Sequence, residues 1–213
     1  MKLLRIAVLM AAFVLGFGTA SAEAIAPDVL VKNTANEVLE IVKKDKDIQS
    51  GDMKKIYALA EEKILPHFDF DHMSRIVLGK HWARASKEQQ DSFVKEFRSL
   101  ITRTYSSALS KYRNQTIEYK PLRSQPGDTD VTVKTQILQP GGQPIPVDYS
   151  LDKGADEWKV YDVTIEGVSL VTNYRGQFST EVRQNGMDGL IQRLVEKNKQ
   201  SPSSLAGSDK KQG

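Results

Sequence analysis

The stretch from Trp158 to Phe178, WKVYDVTIEGVSLVTNYRGQF, changes its periodicity at a single glycine. From Trp158 to Ile165 one side of an extended chain carries Trp158, Val160, Asp162 and Thr164, and the other carries Lys159, Tyr161, Val163 and Ile165. That alternation is the signature of a strand. Both sides hold apolar residues, so the spacing predicts that both meet protein or ligand. Gly167 permits a bend that a side chain would resist. Beyond it Val168, Leu170, Val171, Tyr174 and Phe178 recur at near-helical spacing. A strand, a turn and a helix therefore share one apolar wall.

Working back toward the N-terminus, period two persists to about Thr116. Ile117 and Tyr119 alternate with Glu118 and Lys120. Val131, Val133 and Ile137 alternate with Thr132, Lys134 and Gln136. Ile145, Val147, Tyr149 and Leu151 alternate with Pro146, Asp148 and Ser150. The joints, at Gln125 to Asp128, Pro140 to Gly142 and Lys153 to Asp156, are short and rich in turn formers. Four strands joined this way make an antiparallel meander with one apolar side that must be covered.

The cover is supplied by helices. Asp28 sits as an N-cap ahead of Val31, Thr34, Val38, Leu39, Ile41 and Val42, a stripe that ends in Lys43 and Lys44. Asp52 precedes a second stripe, Ile56, Tyr57, Leu59, Ala60 and Ile64, stopped by Pro66. A short third helix runs from Asp69 through Met73, Ile76 and Val77 to Leu78 and ends at Gly79. Ser86 and Gln89 form a capping box. Behind it Phe93, Phe97, Leu100, Ile101, Tyr105, Ala108, Leu109 and Tyr112 hold helical spacing over what reads as the longest helix. A closing helix around Leu190, Ile191, Leu194 and Val195 follows Gly186. The expected class is α+β: a curved antiparallel sheet of four or slightly more strands, covered by N- and C-terminal helices.

Lys2 and Arg5, an apolar run from Ile6 to about Phe17, and Ala20-Ser21-Ala22 make a secretory signal peptide cleaved after Ala22. Its loss takes the formal net charge from +3 to +1, so no nucleic-acid-like excess of cations remains. With no cysteine, disulfides and a thiol-linked lipid anchor are both excluded. No second apolar run is long enough to span a bilayer. The expected organisation is a leader at 1–22, one domain at 23–199 and a polar, disordered tail at 200–213, in a soluble periplasmic protein.

Chemistry is sparse. His67-Phe-Asp-Phe-Asp-His72 offers imidazoles and carboxylates, but the histidines are five apart and do not share a helix face. Helix capping by Asp69 or Asp71, with Phe68 and Phe70 as anchors, explains the segment better than a metal. No G-x-S-x-G elbow or Gly-rich phosphate loop occurs, and Gly167-Val-Ser169 is not such an elbow. Asp162 and Glu166 are the one carboxylate pair to consider for acid–base work. Their simpler roles are a hydrogen-bonded Asp facing the first helices and a turn carboxylate. Tyr105, Tyr112, Tyr149, Tyr161, Tyr174 and Trp82 lie in or near apolar stripes, a composition that suits a cavity with a wet rim as well as a solid core.

Phe68-Asp-Phe70 with Met73, Leu78-Gly79 and Trp82, Gln90, Phe93, Phe97 and Tyr105, then Trp158-Lys-Val-Tyr-Asp-Val163, Glu166-Gly-Val-Ser-Leu170 and Asn173-Tyr-Arg175 together resemble the MlaC or toluene-tolerance family. These are periplasmic phospholipid-binding proteins of the Mla (maintenance of lipid asymmetry) transport system. The likeness runs from about Val29 to Leu194. It implies an NTF2-like or cystatin-like plan in which sheet and helices enclose a deep apolar cavity for acyl chains. The implied partners are phospholipid, an inner-membrane ABC transporter complex with its MCE-domain ring, and an outer-membrane lipoprotein–porin complex. No catalytic residue, metal or cofactor is implied. The implied lining, taken from apolar positions on the matching elements, is Phe97, Ile101, Tyr105 and Leu109 of the long helix, and Val133, Ile137, Val147 and Tyr149 of the middle strands. Tyr161, Val163 and Ile165 of the last strand complete it with Val168 and Tyr174 beyond the turn. Arg175 is the candidate cation for a head group. Carriage of a hopanoid or isoprenoid, an enzyme with Asp162 as base, and an adaptor for unfolded outer-membrane proteins are the competing expectations.

Overall fold

Pro27, whose missing N–H costs nothing at a first helical position, opens the first helix of the chain. The computed structural model describes residues 24–112, 114–155 and 157–200; the expected leader and all but the first residue of the expected tail lie outside them. Helix α1 spans Pro27–Lys44. Its N-cap is Ala26, which makes no side-chain cap, so Asp28 lies inside the first turn, where its charge suits the helix dipole. A short helix that the stripes had not suggested, α2 (Lys46–Ser50), follows, capped by Asp45 accepting from the N–H groups of Asp47 and Ile48. Asp52 caps α3 (Met53–Leu59) as expected. The chain then winds on through a π-turn (Ala60–Ile64) and a 3₁₀ turn (Leu65–His67) that contains Pro66.

Asp69 accepts from His72 N at 2.7 Å and caps α4 (Phe70–Leu78). A 3₁₀ turn (Gly79–Arg84) leads to the reciprocal Ser86–Gln89 capping box and α5 (Lys87–Ser110). The sheet follows as β1 (Thr116–Tyr119), β2 (Asp130–Leu138), β3 (Ile145–Lys153), β4 (Trp158–Ile165) and β5 (Val168–Ser169), antiparallel and in sequence order. The fifth strand is only two residues long. Glu166 (φ 51°) and Gly167 (φ 84°) form the two-residue turn into it, the left-handed pair that a tight hairpin requires. Helix α6 (Leu170–Lys199) closes the chain. At 30 residues against 24 it displaces α5 as the longest, although Gly186 (φ 71°, ψ −179°) breaks it where a side chain would be strained.

Both sides of β4 meet protein, as expected, but its register with β3 corrects the strict alternation read from the sequence. Ser150 faces Asp162 and Leu151 faces Val160, so Tyr161 is an extra residue with no single opposite number. This bulge shifts the alternation. Trp158 and Val160 before it and Val163 and Ile165 after it all join one cluster with Val131, Val133, Val147 and Leu151. The released Asp162 is buried on the α6 side, not against the first helices. It accepts from Val163 N (2.8 Å), Val171 N (3.1 Å) and Ser169 Oγ (2.5 Å), where a carboxylate complements the start of α6.

Candidate functional site

Two kinds of interior lie along α5. Toward its N-terminal half, Phe93, Phe97 and Leu100 are fully buried against α4 and α6. Phe93, Phe97, Tyr174 and Phe178 form a ring cluster with centroid separations of 5.4 to 5.8 Å. Toward its C-terminal end the same helix faces a cavity of about 480 Å³.

The cavity is built by four segments. From α1 come Leu30, Val31, Thr34, Ala35, Val38, Leu39 and Val42, pairs of neighbours repeating every four residues, which make a stripe two residues wide. The turns after α3 give Ile64, His67 and Phe68. The end of α5 gives Ala108, Leu109, Lys111, Tyr112 and Gln115. The sheet supplies Ile117, Ile137, Gln139, Ile145, Tyr149 and Val160. Most of this wall is apolar. Lys111, Gln115 and Gln139 bring polar atoms near the start of β1 and the end of β2, which pair with each other. The volume lies in the ordinary range for small-molecule sites.

Helix α1 is fastened over the cavity at several points. Lys63 Nζ bonds Glu37 at 2.8 Å, and Tyr119 Oη donates to Asn36 Oδ1 at 3.3 Å. Gln49 Nε2 donates to the carbonyls of Val42 and Lys43, both at 2.9 Å. Two titratable groups in the wall are shifted toward their neutral forms. Burial lowers the pKa of His67, with Lys159 adding to the shift. Burial also pushes the Tyr149 phenol up to about 12, with the Tyr119 charge contributing.

Of the lining expected from the sequence, Leu109, Ile137 and Tyr149 border this cavity. Phe97, Ile101 and Tyr174 are instead packed in the solid helical core, because α4 and α6 close directly on that length of α5. Val133, Val147 and Val163 are buried in the sheet's own cluster, with Ile165 and Tyr105 against it. Tyr161 stacks on His72 (centroids 4.6 Å) and donates to Asp130 Oδ2 at 2.9 Å. Val168, on the short β5, is 57% exposed. Arg175 lies against Gly79, beyond the solid end of α5 and away from the cavity. The α1 stripe is the large contribution that the sequence reading assigned only to cover.

His67 faces the cavity, whereas His72 Nδ1 is bonded to Asp152 Oδ2 at 2.9 Å. Asp69, His72 and Asp152 approach within 4.8 Å of one another, as a helix cap and a His–Asp pair. A second concavity of about 540 Å³ on the α3–α5 flank is lined by Glu61, Asp71, Asp91, Lys95, Arg98 and Arg103 among others. Its charges are mixed and partly paired, Arg98 with Glu61, so it offers little apolar burial. Among the described residues no helix is long and apolar enough to cross a membrane.

Comparison with known proteins converges on one family. The family model for the MlaC protein matches residues 32–196. The chain is 27% identical over 179 residues to the "Intermembrane phospholipid transport system binding protein MlaC" of Haemophilus influenzae, covering 83% of each chain. It is 29% identical to the "Toluene tolerance protein ttg2D" of Pseudomonas putida, covering 85% of this chain and 82% of that one. Among solved structures, a phospholipid-binding protein of Ralstonia solanacearum in complex with a phospholipid is 38% identical, with a TM-score of 0.77 over 87% of this chain and 99% of its own.

Proposed function

The chain belongs to the MlaC family, and on that premise we propose that it is a periplasmic phospholipid carrier that takes acyl chains into the cavity under α1. The observation that carries the proposal is the cavity itself: about 480 Å³ with a mostly apolar wall and polar side chains near one end. At about 0.8 kcal/mol per methylene, exposing two acyl chains of around thirty methylenes costs on the order of 20 kcal/mol. Free diffusion through water is then negligible, and a carrier must offer burial of comparable extent. The wall built from the α1 stripe, the end of α5 and the sheet offers part of that burial, without chemistry, in its volume of about 480 Å³. In this reading the acyl chains lie against Leu39, Leu109, Ile137 and Tyr149, and the head group sits near Lys111, Gln115 and Gln139.

The chain is then exported by cleavage after Ala22 and works as one domain over 23–199. It exchanges lipid with an inner-membrane ABC transporter complex carrying an MCE-domain ring and with an outer-membrane lipoprotein–porin complex. Binding without turnover needs no cofactor. The solved Ralstonia solanacearum relative holds a phospholipid, which supports the same ligand class here.

Native mass spectrometry of the mature protein, followed by lipid extraction, tests the proposal. The expected result is an added mass that resolves into diacyl phospholipid and is lost in Ala35→Phe, which fills the cavity from α1. A hopanoid or isoprenoid mass would replace the ligand, and a protein that stays empty after incubation with vesicles would overturn the carrier reading.

A further inference from the structure

At the solid end of α5 the surface carries a cluster of cations that outnumber the acids beside them. The 3₁₀ turn Gly79–Arg84 contributes Lys80 and Arg84, both exposed. Helix α6 contributes Arg175, whose guanidinium lies against Gly79, and Arg183, which donates to Thr180 Oγ1 at 3.1 Å. Arg75 lies over the Trp82 ring at 5.4 Å from its centroid. None of these five takes part in an ion pair among the described residues. Of the acids at this end, Asp91 pairs with Lys87 and Asp188 accepts from Gln89 Nε2 at 2.8 Å, which leaves exposed Asp71, one turn before Arg75 on α4, and Glu88 of the first turn of α5 as the carboxylates nearest the five cations. His81 sits in their midst with its Nε2 buried and without a hydrogen-bond partner. Burial lowers its pKa, and the charges that lower it further are Lys80, Arg84 and Arg183.

The cluster is remote from the cavity. Gln90 of α5 donates to the carbonyl of Trp82 at 3.0 Å, while Leu109 of the same helix faces the cavity. Nineteen residues of helix separate those positions by about 28 Å. For a chain whose formal net charge without its leader is only +1, gathering five cations at one end is a marked asymmetry. Among the described residues the exposed large apolar ones are Ile25, Val29, Leu138 and Val168, none of them in the Gly79–Arg84 turn or in the α6 stretch 175–183. Specific protein interfaces have an apolar, charge-depleted centre. A mainly cationic face without one is complementary to a plane of phosphates.

We propose that the face formed by Arg75, Lys80, Arg84, Arg175 and Arg183 docks the protein on the anionic head-group surface of a lipid bilayer. It would hold the molecule at a membrane by its solid end and leave the cavity end free. Attraction of this kind is worth on the order of fivefold in binding per cation near the surface and is screened by salt. It stands whether or not the cavity carries a lipid.

Flotation of the full mature chain with phosphatidylglycerol–phosphatidylcholine vesicles, against phosphatidylcholine alone, tests the proposal. The expected result is binding to the anionic vesicles only, abolished by high salt. Lys80→Glu with Arg84→Glu should weaken it at least about tenfold, Lys80→Gln with Arg84→Gln by less, and Lys134→Glu on the exposed side of β2, outside both the cluster and the cavity, should leave it unchanged. Native mass spectrometry of each variant reads cavity loading separately, so loss of docking and loss of carriage are distinguishable. Equal binding to neutral vesicles, or binding insensitive to the Lys80 and Arg84 changes, overturns the proposal. So does failure of the wild type to bind anionic vesicles, which would assign the face to an acidic protein instead.

Discussion

Phe97 and Leu109 stand on one helix, in one apolar stripe, twelve residues apart. At Phe97 the stripe meets α4 and α6 and disappears into rings that touch on every side, with no exposed area left. At Leu109 it packs in part against the cluster of Val38, Val42, Ile48, Ile56 and Leu59 and in part borders a void of about 480 Å³ between α1 and the sheet. The two ends do different jobs with the same residue types. The solid end fixes the geometry of the helices. The hollow end keeps apolar surface uncovered, a cost in stability that a ligand can recover.

The comparison predicts a graded set of responses. Phe97→Ala should open a cavity where none exists and lower unfolding stability by about 3–5 kcal/mol in urea titration; a loss near zero would mean the core is not solid. Asp162→Asn acts at the seam, where β4 meets the start of α6. It removes the charge that accepts from Ser169 and complements the helix, and should cost about 1–2 kcal/mol while leaving lipid transfer between vesicles unchanged. Transfer that collapses in a folded Asp162→Asn protein would revive a chemical role for this carboxylate. Leu109→Ala should be the mildest for the empty protein, under about 1 kcal/mol, because the side chain already borders open space. Its effect should appear in loading, and a penalty as large as that of Phe97→Ala would erase the distinction between the two ends.

Local signals carried much of the fold. The caps at Asp52 and Asp69 and the box of Ser86 and Gln89 are written in adjacent residues, and the structure uses each as read. The same is true of the period-two strands, whose turn formers fix an antiparallel meander. What failed was decided by distant partners. The alternation of β4 reads cleanly through Tyr161, but the bulge exists only in the pairing with Ser150 and Leu151. Helix α2 was legible in principle, since Asp45 precedes it as a capping residue. The candidate site was the least legible part. Phe97, Ile101 and Tyr174 share size, polarity and spacing with Leu109 and Tyr149. Only the approach of α4 and α6 on one side and the standing-off of α1 on the other separates core from cavity.

In the proposed carrier the acyl chains occupy the hollow end and not the solid one. A phospholipid bearing a diazirine in its acyl chain, loaded into the mature protein, irradiated and mapped by peptide mass spectrometry, tests it directly. Labels are expected on α1 between Val31 and Val42, on α5 from Ala108 onward, and at Ile137 or Tyr149. Labels concentrated at Phe93 to Ile101 of α5 or Val171 to Phe178 of α6 would contradict it.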